Sequence, residues 1–166
     1  SCGGTEWVVR DLVRELALPR VVIAYPESQA IVVAEVLSGD LAGASRFRFR
    51  LHSPLARRCH EHAELELRFG EILRAFGVGH VHVHHLLGWP LSLRRVLRRS
   101  EVPYSLTLHD FYAVCPSPNL LDVATSTPCC PERCRDREAT RECLAALYRE
   151  TGEPLPVDPV RFASEH

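Results

Sequence analysis

The amino-acid sequence predicts an α/β fold, a Rossmann-like three-layer α/β/α domain with a mostly parallel sheet. Apolar runs of strand length alternate with segments whose apolar residues recur at helical spacing. That order is typical of parallel sheets with right-handed crossovers. The clearest example lies within residues 78–122, where an amphipathic helix at about 90–99 follows one apolar strand. A second apolar strand follows that helix, so the strands at 81–84 and 104–108 form a predicted βαβ unit.

Length and composition indicate one ordinary globular domain that spans residues 1–166. The chain has 166 residues, which is enough for one buried core and too few for two full-sized domains. Its apolar share of 46% and charged share of 25% are ordinary for a globular protein. Its 20 basic side chains nearly balance 21 acidic ones, so no overall positive field favours nucleic acid. No apolar run approaches the roughly 18 residues that cross a bilayer, and no signal-peptide pattern opens the chain. We therefore expect a cytoplasmic location.

The chain opens on a glycine-containing loop that precedes a predicted helix at 7–18. Thr5 is a suitable N-cap for this helix. Gly3 and Gly4 could form a plain turn or a phosphate cradle, because backbone N–H groups at a helix start attract anions. No strand precedes the loop and the chain contains no Met, so we expect the sequence to belong to a longer protein.

Four further elements are predicted before the central unit. The apolar run at 20–25 resembles a strand that is buried on both faces. Residues 30–37 could form either a helix or a strand. The strict alternation at 46–51 predicts a strand near a sheet edge. Residues 55–76 have helical spacing and end at glycines. A last helix is predicted at 141–150.

Polar side chains follow both strands of the βαβ unit. His84 and His85 come after the first strand, and His109 and Asp110 after the second. Ligands bind outside the carboxyl ends of parallel strands, so we expect these residues to form the wall of a site. His109 could donate to a sugar hydroxyl or phosphate, or act as an acid or base, or simply satisfy nearby backbone. Asp110 could cap the next turn or fix an imidazole tautomer.

Histidines recur on one face of the first strand. Strand side chains alternate between faces, so His84 and His85 should point to opposite sides, and at most one should reach the crevice without a local twist. By the same rule His80, His82 and His84 share a face. This face could hold a metal, but a parallel sheet covered on both sides would give such a site no access to solvent.

Cysteines concentrate in a predicted Cys-rich segment at 111–143, which holds five of the seven. Their spacing could supply four thiolates to one structural zinc. The candidate ligands are Cys115, Cys130, Cys134 and Cys143. The spacing lacks the clean CxxC pairs of a strong zinc motif, so free thiols stay an open alternative. A disulfide is less favoured in a reducing compartment.

Three of these features together resemble a known family. They are GGTE at the opening of a helix, the run HVHVHHLLGWPLSLRRVLRRSEVPYSLTLHDFYAVCPSPNLLD, and the trailing cysteines. In combination they resemble the N-terminal, acceptor-side domain of retaining GT-B glycosyltransferases of family 4. The resemblance spans most of positions 1–143, although the middle segments fit only in outline.

The resemblance implies a Rossmann-like half that binds the acceptor, opposite a second domain that binds a nucleotide-sugar. Gly3, Gly4 and Thr5 would then lie near the donor diphosphate. His109 would lie near the donor sugar, and His84 or His85 along the acceptor cleft. The implied partners are a nucleotide-sugar donor and a glycan or lipid-linked acceptor. A peripheral contact of the protein with a membrane would be compatible with a lipid-linked acceptor. No cofactor is required for this transfer.

The implied second domain, with its paired-glutamate donor motif, has no counterpart in the 166 residues. We therefore expect the chain alone to be inactive, because transfer needs the donor held from both sides. The alternative function is a non-catalytic Rossmann-type binding module with a structural metal site. A cysteine-dependent enzyme that uses Cys115 is a weaker alternative, since no histidine pairs with it in sequence.

Overall fold

A computed structural model describes residues 4–38, 43–112, 115, 117, 119–129, 132 and 135–152. Within these ranges the chain forms four helices and seven strands. In chain order the elements are α1 (Gly4–Leu16), β1 (Arg20–Ser28), β2 (Ile31–Ser38), β3 (Gly43–Arg50), α2 (Ala63–Ala75), β4 (Val81–Val83), α3 (Leu93–Ser100), β5 (Tyr104–Leu106), β6 (Leu121–Asp122), β7 (Thr127–Pro128) and α4 (Arg137–Thr151). The strands divide into three small sheets.

The strands β1, β2 and β3 form an antiparallel meander, so the prediction of a Rossmann-like, mostly parallel sheet is wrong. Only residues 29 and 30 separate β1 from β2, and only residues 39–42 separate β2 from β3. Parallel neighbours need a crossover of roughly a dozen residues or more. Because these connections are shorter, the chain must turn back on itself. A mixed α/β fold with small sheets replaces the predicted three-layer domain.

β2 is the central strand of the meander, and this position explains its burial. Val32, Val33 and Ala34 have no exposed surface, because β1 and β3 flank them on both sides. The open choice between helix and strand is therefore resolved in favour of strand. β1, predicted to be buried on both faces, lies at one edge and is only half-buried. β3 lies at the other edge, as its alternation predicted.

Two arginine side chains of β3 reach across the central strand to β1. The guanidinium of Arg48 donates to the carboxylate of Glu27 through Nε at 3.1 Å and through a terminal nitrogen at 2.9 Å. Arg46 donates to the hydroxyl of Tyr25. In the strand pairing, Val33 of β2 lies opposite Tyr25 of β1 on one side and opposite Arg48 of β3 on the other. These long side chains therefore bridge the two edges of the meander over β2.

α2 begins later than the helical spacing of residues 55–76 predicted. His62 is its N-cap, and its Nδ1 accepts from the backbone N–H of Leu65 at 3.2 Å. The other ring nitrogen, Nε2, lies 3.1 Å from the carbonyl oxygen of Ser53. The residues before His62 form a loop that runs along the end of the meander, where Leu55 N–H donates to the Gln29 carbonyl at 2.6 Å.

The main core lies between the meander, α2 and α3. Phe69 and Trp89 meet edge to face, with ring centroids 5.8 Å apart, a geometry that aromatic pairs favour. The buried members of this cluster are Val32, Leu51, Leu55, Leu65, Phe69, Leu73, Trp89, Leu93 and Leu97. The core thus fixes α3 and, through Val81 and Val83, the strand β4 that precedes it.

The predicted βαβ unit is present. β4 and β5 pair in parallel, with Val81 opposite Tyr104 and Val83 opposite Leu106, and α3 lies between them in the chain. Both strands are shorter than predicted, because regular pairing stops at Val83 and Leu106. The histidines that follow therefore lie just beyond the regular strands.

α4 packs on the β6–β7 hairpin through a second small core. Leu144, Leu147 and Tyr148 are buried there against Val123. Asp136 caps the helix, and its Oδ1 accepts from Glu138 and Ala139 N–H at 2.8 and 2.9 Å. This cap explains why α4 begins four residues before the predicted start at 141.

α1 confirms a helix near the N-terminus, but none of its residues is buried. Trp7 keeps 53% of its surface exposed, and Leu16 also keeps 53%. The helix begins at Gly4, so Thr5 lies inside it and is not its N-cap as predicted. Across the described part of the chain, no helix is long and apolar enough to cross a membrane.

Candidate functional site

A shallow pocket lies at the carboxyl ends of β4 and β5. Its enclosed volume is only about 10 Å3, room for about one water molecule, and the rest of it is open to solvent. Its lining comes from the residues that follow the two strands and from the end of β5. These residues are His84, His85, Leu86, Leu106, Thr107, Leu108, His109 and Asp110. All four polar residues predicted to form the site wall therefore line one pocket.

A ladder of polar side chains runs along one face of the parallel pair and ends in this pocket. Each rung joins two residues that are 25 positions apart. The rungs are His80 Nε2 with Ser105 Oγ at 3.0 Å, His82 Nε2 with Thr107 Oγ1 at 2.7 Å, and His84 Nδ1 with His109 Nε2 at 3.2 Å. The shared face predicted for the three β4-side histidines is thus present, but solvent reaches it, since His80 and His82 are exposed.

The last rung brings two imidazoles together. The rings of His84 and His109 are nearly parallel, at an interplanar angle of 25° and a centroid distance of 5.5 Å. The ring of His82 lies on the other side of His84, with centroids 4.0 Å apart. Burial, followed by the charges of His82 and His109, lowers the pKa of His84 below its ordinary value of 6.5. The His84 ring is therefore neutral at neutral pH, and one ring of the pair donates to the other.

His85 and Asp110 form a second pair beside the first. The Nδ1 atom of His85 is buried and lies 3.1 Å from Oδ2 of Asp110, which is within ion-pair distance but lacks the geometry of a hydrogen bond. The other carboxylate oxygen, Oδ1, accepts from the backbone N–H of Tyr112 at 2.9 Å. Of the two roles predicted for Asp110, the cap of the following turn is therefore confirmed, and the positioning of an imidazole stays a prediction. The imidazole that lies beside Asp110 belongs to His85, across the strand pair, and not to the adjacent His109.

Both consecutive histidines line the pocket, although strand alternation predicted that only one would. Regular β pairing ends at Val83, so the alternation rule no longer applies to His84 and His85. The side chain of His85 keeps 38% of its surface exposed while its Nδ1 is covered. The rest of that ring, including Nε2, is therefore the part that can face a ligand.

The predicted phosphate loop is not brought into this pocket. Gly4 and Thr5 begin α1, and neither is among the residues that line the pocket. Gly3 lies outside the described residues. The role of this loop at a donor diphosphate stays a prediction.

Two of the four predicted zinc ligands are described, and they lie near each other. Cys115 is buried and Cys143 is half-buried, and neither is in a disulfide. Burial and the neighbouring Asp122 carboxylate raise the pKa of the Cys143 thiol to about 11, and the charge of Cys115 adds to this effect. Cys130 and Cys134 lie outside the described residues. Among the residues that are described, no group of three or more metal-binding side chains converges.

The sequence interpretation missed two residues of the ladder, Ser105 and Thr107. Their signal was present in the chain, because SLTLH places a polar residue at every second position, as HVHVH at 80–84 does. Two parallel strands with matching alternation present their polar faces to the same side. This comparison of the two strands would have predicted the rungs.

Comparison of the chain with protein-family models, with curated proteins and with solved structures finds no match. The chemistry of the pocket therefore has to be argued from its own residues.

Proposed function

We propose that this chain provides the acceptor side of a site that transfers a sugar from a nucleotide-diphosphate sugar with retention. The observation that carries the proposal is the convergence of two imidazole pairs on one open pocket, His84 with His109 and His85 with Asp110. The antiparallel meander lends no support to it. The proposal rests on the pocket and on the sequence motifs that surround it.

The polar groups around the pocket suit hydroxyl groups of a ligand that contacts them from the open side. Imidazoles both donate and accept hydrogen bonds, and a neutral ring offers one of each. Leu86, Leu106 and Leu108 contribute apolar surface between the polar groups. Sugars present hydroxyl edges and apolar C–H faces, so this mixture of side chains complements them. The pocket is shallow and open, which fits contact with one part of a larger acceptor.

Each pair has a distinct role in this proposal. His109 is exposed and hydrogen-bonds the transferred sugar, while His84 holds the His109 ring in place. Asp110 holds His85 in one orientation, so that His85 Nε2 binds an acceptor hydroxyl. A fixed carboxylate beside Nδ1 favours the tautomer in which Nε2 is an acceptor.

The proposal is tested by ligand binding to the protein. Nucleotide-sugars and short glycans would be titrated while the imidazole resonances are followed by NMR. His85→Ala and His109→Ala should each weaken the affinity of the responding ligand by up to about tenfold, the effect of one lost hydrogen bond. His52→Ala is the matched control, because His52 also pairs with a carboxylate, that of Glu64 at 2.8 Å, but lies outside the pocket.

Two results would contradict the proposal. One is that no nucleotide-sugar or glycan shifts the resonances of His84, His85 or His109. The other is that ligand affinity in His85→Ala and His109→Ala equals that of the His52→Ala control. Release of nucleoside diphosphate from a nucleotide-sugar, measured with glycan present and absent, separates transfer from binding alone.

A non-catalytic binding module with a structural metal site is the second candidate. The proximity of Cys115 and Cys143 favours it, because two of the four candidate thiolates are already close together. Metal analysis of the purified protein tests this candidate. A structural site predicts about one zinc per chain and unfolding by chelators, whereas a zinc content well below half an equivalent contradicts it.

A further inference from the structure

The strand β5 has an open edge whose backbone groups can pair with a further strand. On its other edge, the N–H of Val81 donates to the Pro103 carbonyl and the N–H of Thr107 donates to the Val83 carbonyl, both at 2.9 Å. Alternate residues of a strand bond to the same neighbour, so the odd-numbered residues of β5 face β4. The even-numbered residues at 104–108 direct their N–H and C=O groups to the open edge, where no strand of the described ranges pairs with them.

The side chains of the same even-numbered residues form an exposed apolar stripe. Tyr104, Leu106 and Leu108 keep 44%, 45% and 61% of their surface exposed. Val81 and Val83 lie opposite the first two of them, on the same face of the sheet, and pack against the main core. The core therefore covers this face at β4 and ends before β5. Parallel strands are normally covered on both faces, so the stripe is typical of a surface that another chain covers.

The open edge of β5 lacks the charges that protect the outer edge of the meander. Along β3, arginines stand at every second position from Arg46 to Arg50. Charged side chains on an edge strand discourage pairing with other chains. From Val102 to Leu108, in contrast, the sequence contains no charged residue. This edge is therefore free to accept a further strand.

We propose that the open edge of β5 pairs with the same edge of a second copy of this chain. A twofold axis brings two copies of one strand together antiparallel, and Leu106 then lies opposite the partner's Leu106. In this register Tyr104 lies opposite the partner's Leu108, so the two apolar stripes share one face. The outward N–H and C=O groups face one another as hydrogen-bonded pairs, and no like charges meet. The edge is thus complementary to itself.

The second copy also contributes to the pocket in this arrangement. Leu108 lines the pocket, and the partner's Tyr104 lies beside it, so each pocket gains a side chain from the other copy. The pairing involves far fewer residues than the roughly 20–30 on each side of a standard interface. The dimer is therefore reversible and depends on protein concentration. It does not depend on the proposed sugar transfer.

Sedimentation velocity over about a hundredfold range of protein concentration tests the dimer. A reducing agent is present, so that the cysteines form no disulfide-linked dimers. The unaltered chain should shift from the mass of one chain to the mass of two as its concentration rises. Leu106→Arg should keep the mass of one chain throughout, because it places two like charges directly opposite each other. Leu67→Arg is the matched control, since it replaces an exposed leucine of α2, and it should dimerise like the unaltered chain.

A mixture of two charge variants tests the register. Leu106→Glu alone should also keep the mass of one chain, whereas an equal mixture with Leu106→Arg should regain the mass of two, because opposite charges then face each other. If Leu106→Arg is misfolded by circular dichroism, Leu106→Pro replaces it in the first experiment, since it removes only an N–H that points away from β4.

Three results would overturn the proposal. One is that the unaltered chain keeps the mass of one chain at every concentration, which would leave the edge to a different partner. Another is that the Leu106 variants dimerise as readily as the Leu67→Arg control. The third is that the folded charge variants do not associate when they are mixed.

Discussion

His85 Nδ1 and Asp110 Oδ2 lie 3.1 Å apart across the ends of the parallel strands β4 and β5. The carboxylate is held from the other side by the backbone N–H of Tyr112. In the proposed function, the negative charge beside Nδ1 favours one tautomer of His85, and the exposed part of the ring faces the pocket. The relationship makes Asp110 a positioning residue whose effect on ligand binding can be separated from its effect on folding.

Asp110→Asn should impair ligand binding with little loss of stability. The amide oxygen can still accept from Tyr112 N–H, so the turn after β5 stays capped. The amide removes the negative charge beside His85 Nδ1, and with it the preference for the tautomer that carries its proton there. We expect up to about tenfold weaker binding of the ligand that responds in the NMR titration, with unfolding free energy changed by less than about 0.5 kcal/mol. Wild-type affinity in this variant would contradict the assigned role of Asp110.

The stability of the protein should rise with pH across the titration range of His84. Burial lowers the pKa of His84 below 6.5 in the folded state. Between the folded pKa and 6.5 the unfolded chain binds more protons, so the free energy of unfolding increases with pH in this window. Denaturant unfolding at about pH 5.5 and about pH 7.5 measures this change. The free energy of unfolding of His84→Asn should change less between these two pH values than that of the unaltered chain. If the change is the same in both proteins, His84 is not its source.

Truncation of Leu65 should be far more damaging than truncation of Leu67. Leu65 has no exposed surface and belongs to the main core, whereas Leu67 on the same helix keeps 58% of its surface exposed. Leu65→Ala should lower the unfolding free energy by about 2–5 kcal/mol, and Leu67→Ala should change it by less than about 0.5 kcal/mol. Urea denaturation of both variants gives the comparison. Equal effects would mean that α2 buries a different face.

The Cys143 thiol should resist alkylation in the folded protein. Burial and the carboxylate of Asp122 raise its pKa from 9.0 to about 11, and thiolate is the reactive form. Two pKa units lower the thiolate fraction about a hundredfold at about pH 8. Peptide mass spectrometry should therefore show at least about tenfold slower reaction with iodoacetamide than in the unfolded chain.

The same raised pKa has a consequence for stability at high pH. The folded chain keeps the Cys143 proton between pH 9.0 and about 11 while the unfolded chain loses it. This contribution to stability is therefore present below pH 9.0 and is lost as the pH rises toward about 11. In Cys143→Ala, the free energy of unfolding should therefore fall less over this pH range. For the alkylation experiment, equal rates in the folded and unfolded chains would contradict the raised pKa of Cys143.

The sequence predicted the local elements better than their assembly. Alternation identified β3 and the βαβ unit around α3, because periodicity reports which face of an element is buried. It could not distinguish parallel from antiparallel pairing, since a short apolar run suits both a fully covered parallel strand and the centre of a meander. Loop length carried the missing information. The two residues between β1 and β2 exclude a crossover helix.

The site was predictable in its residues but not in its pairings. His84, His85, His109 and Asp110 were identified from their place after two strands, and the pocket contains all four. Which residue faces which depends on how far regular pairing extends. Because β4 stops at Val83, both histidines turn into the pocket, and Asp110 meets His85 across the strands. The roles of Gly4 and Thr5 as donor-phosphate contacts stay predictions.

The arginines of β3 also affect how copies of this protein behave toward each other. Arg46 and Arg48 alternate along the outer strand of the meander and reach inward to Tyr25 and Glu27. A second copy that added its own β3 to this edge would bring guanidinium groups of like charge against one another, which disfavours pairing. We therefore expect the unpaired backbone of that strand to resist pairing with further chains.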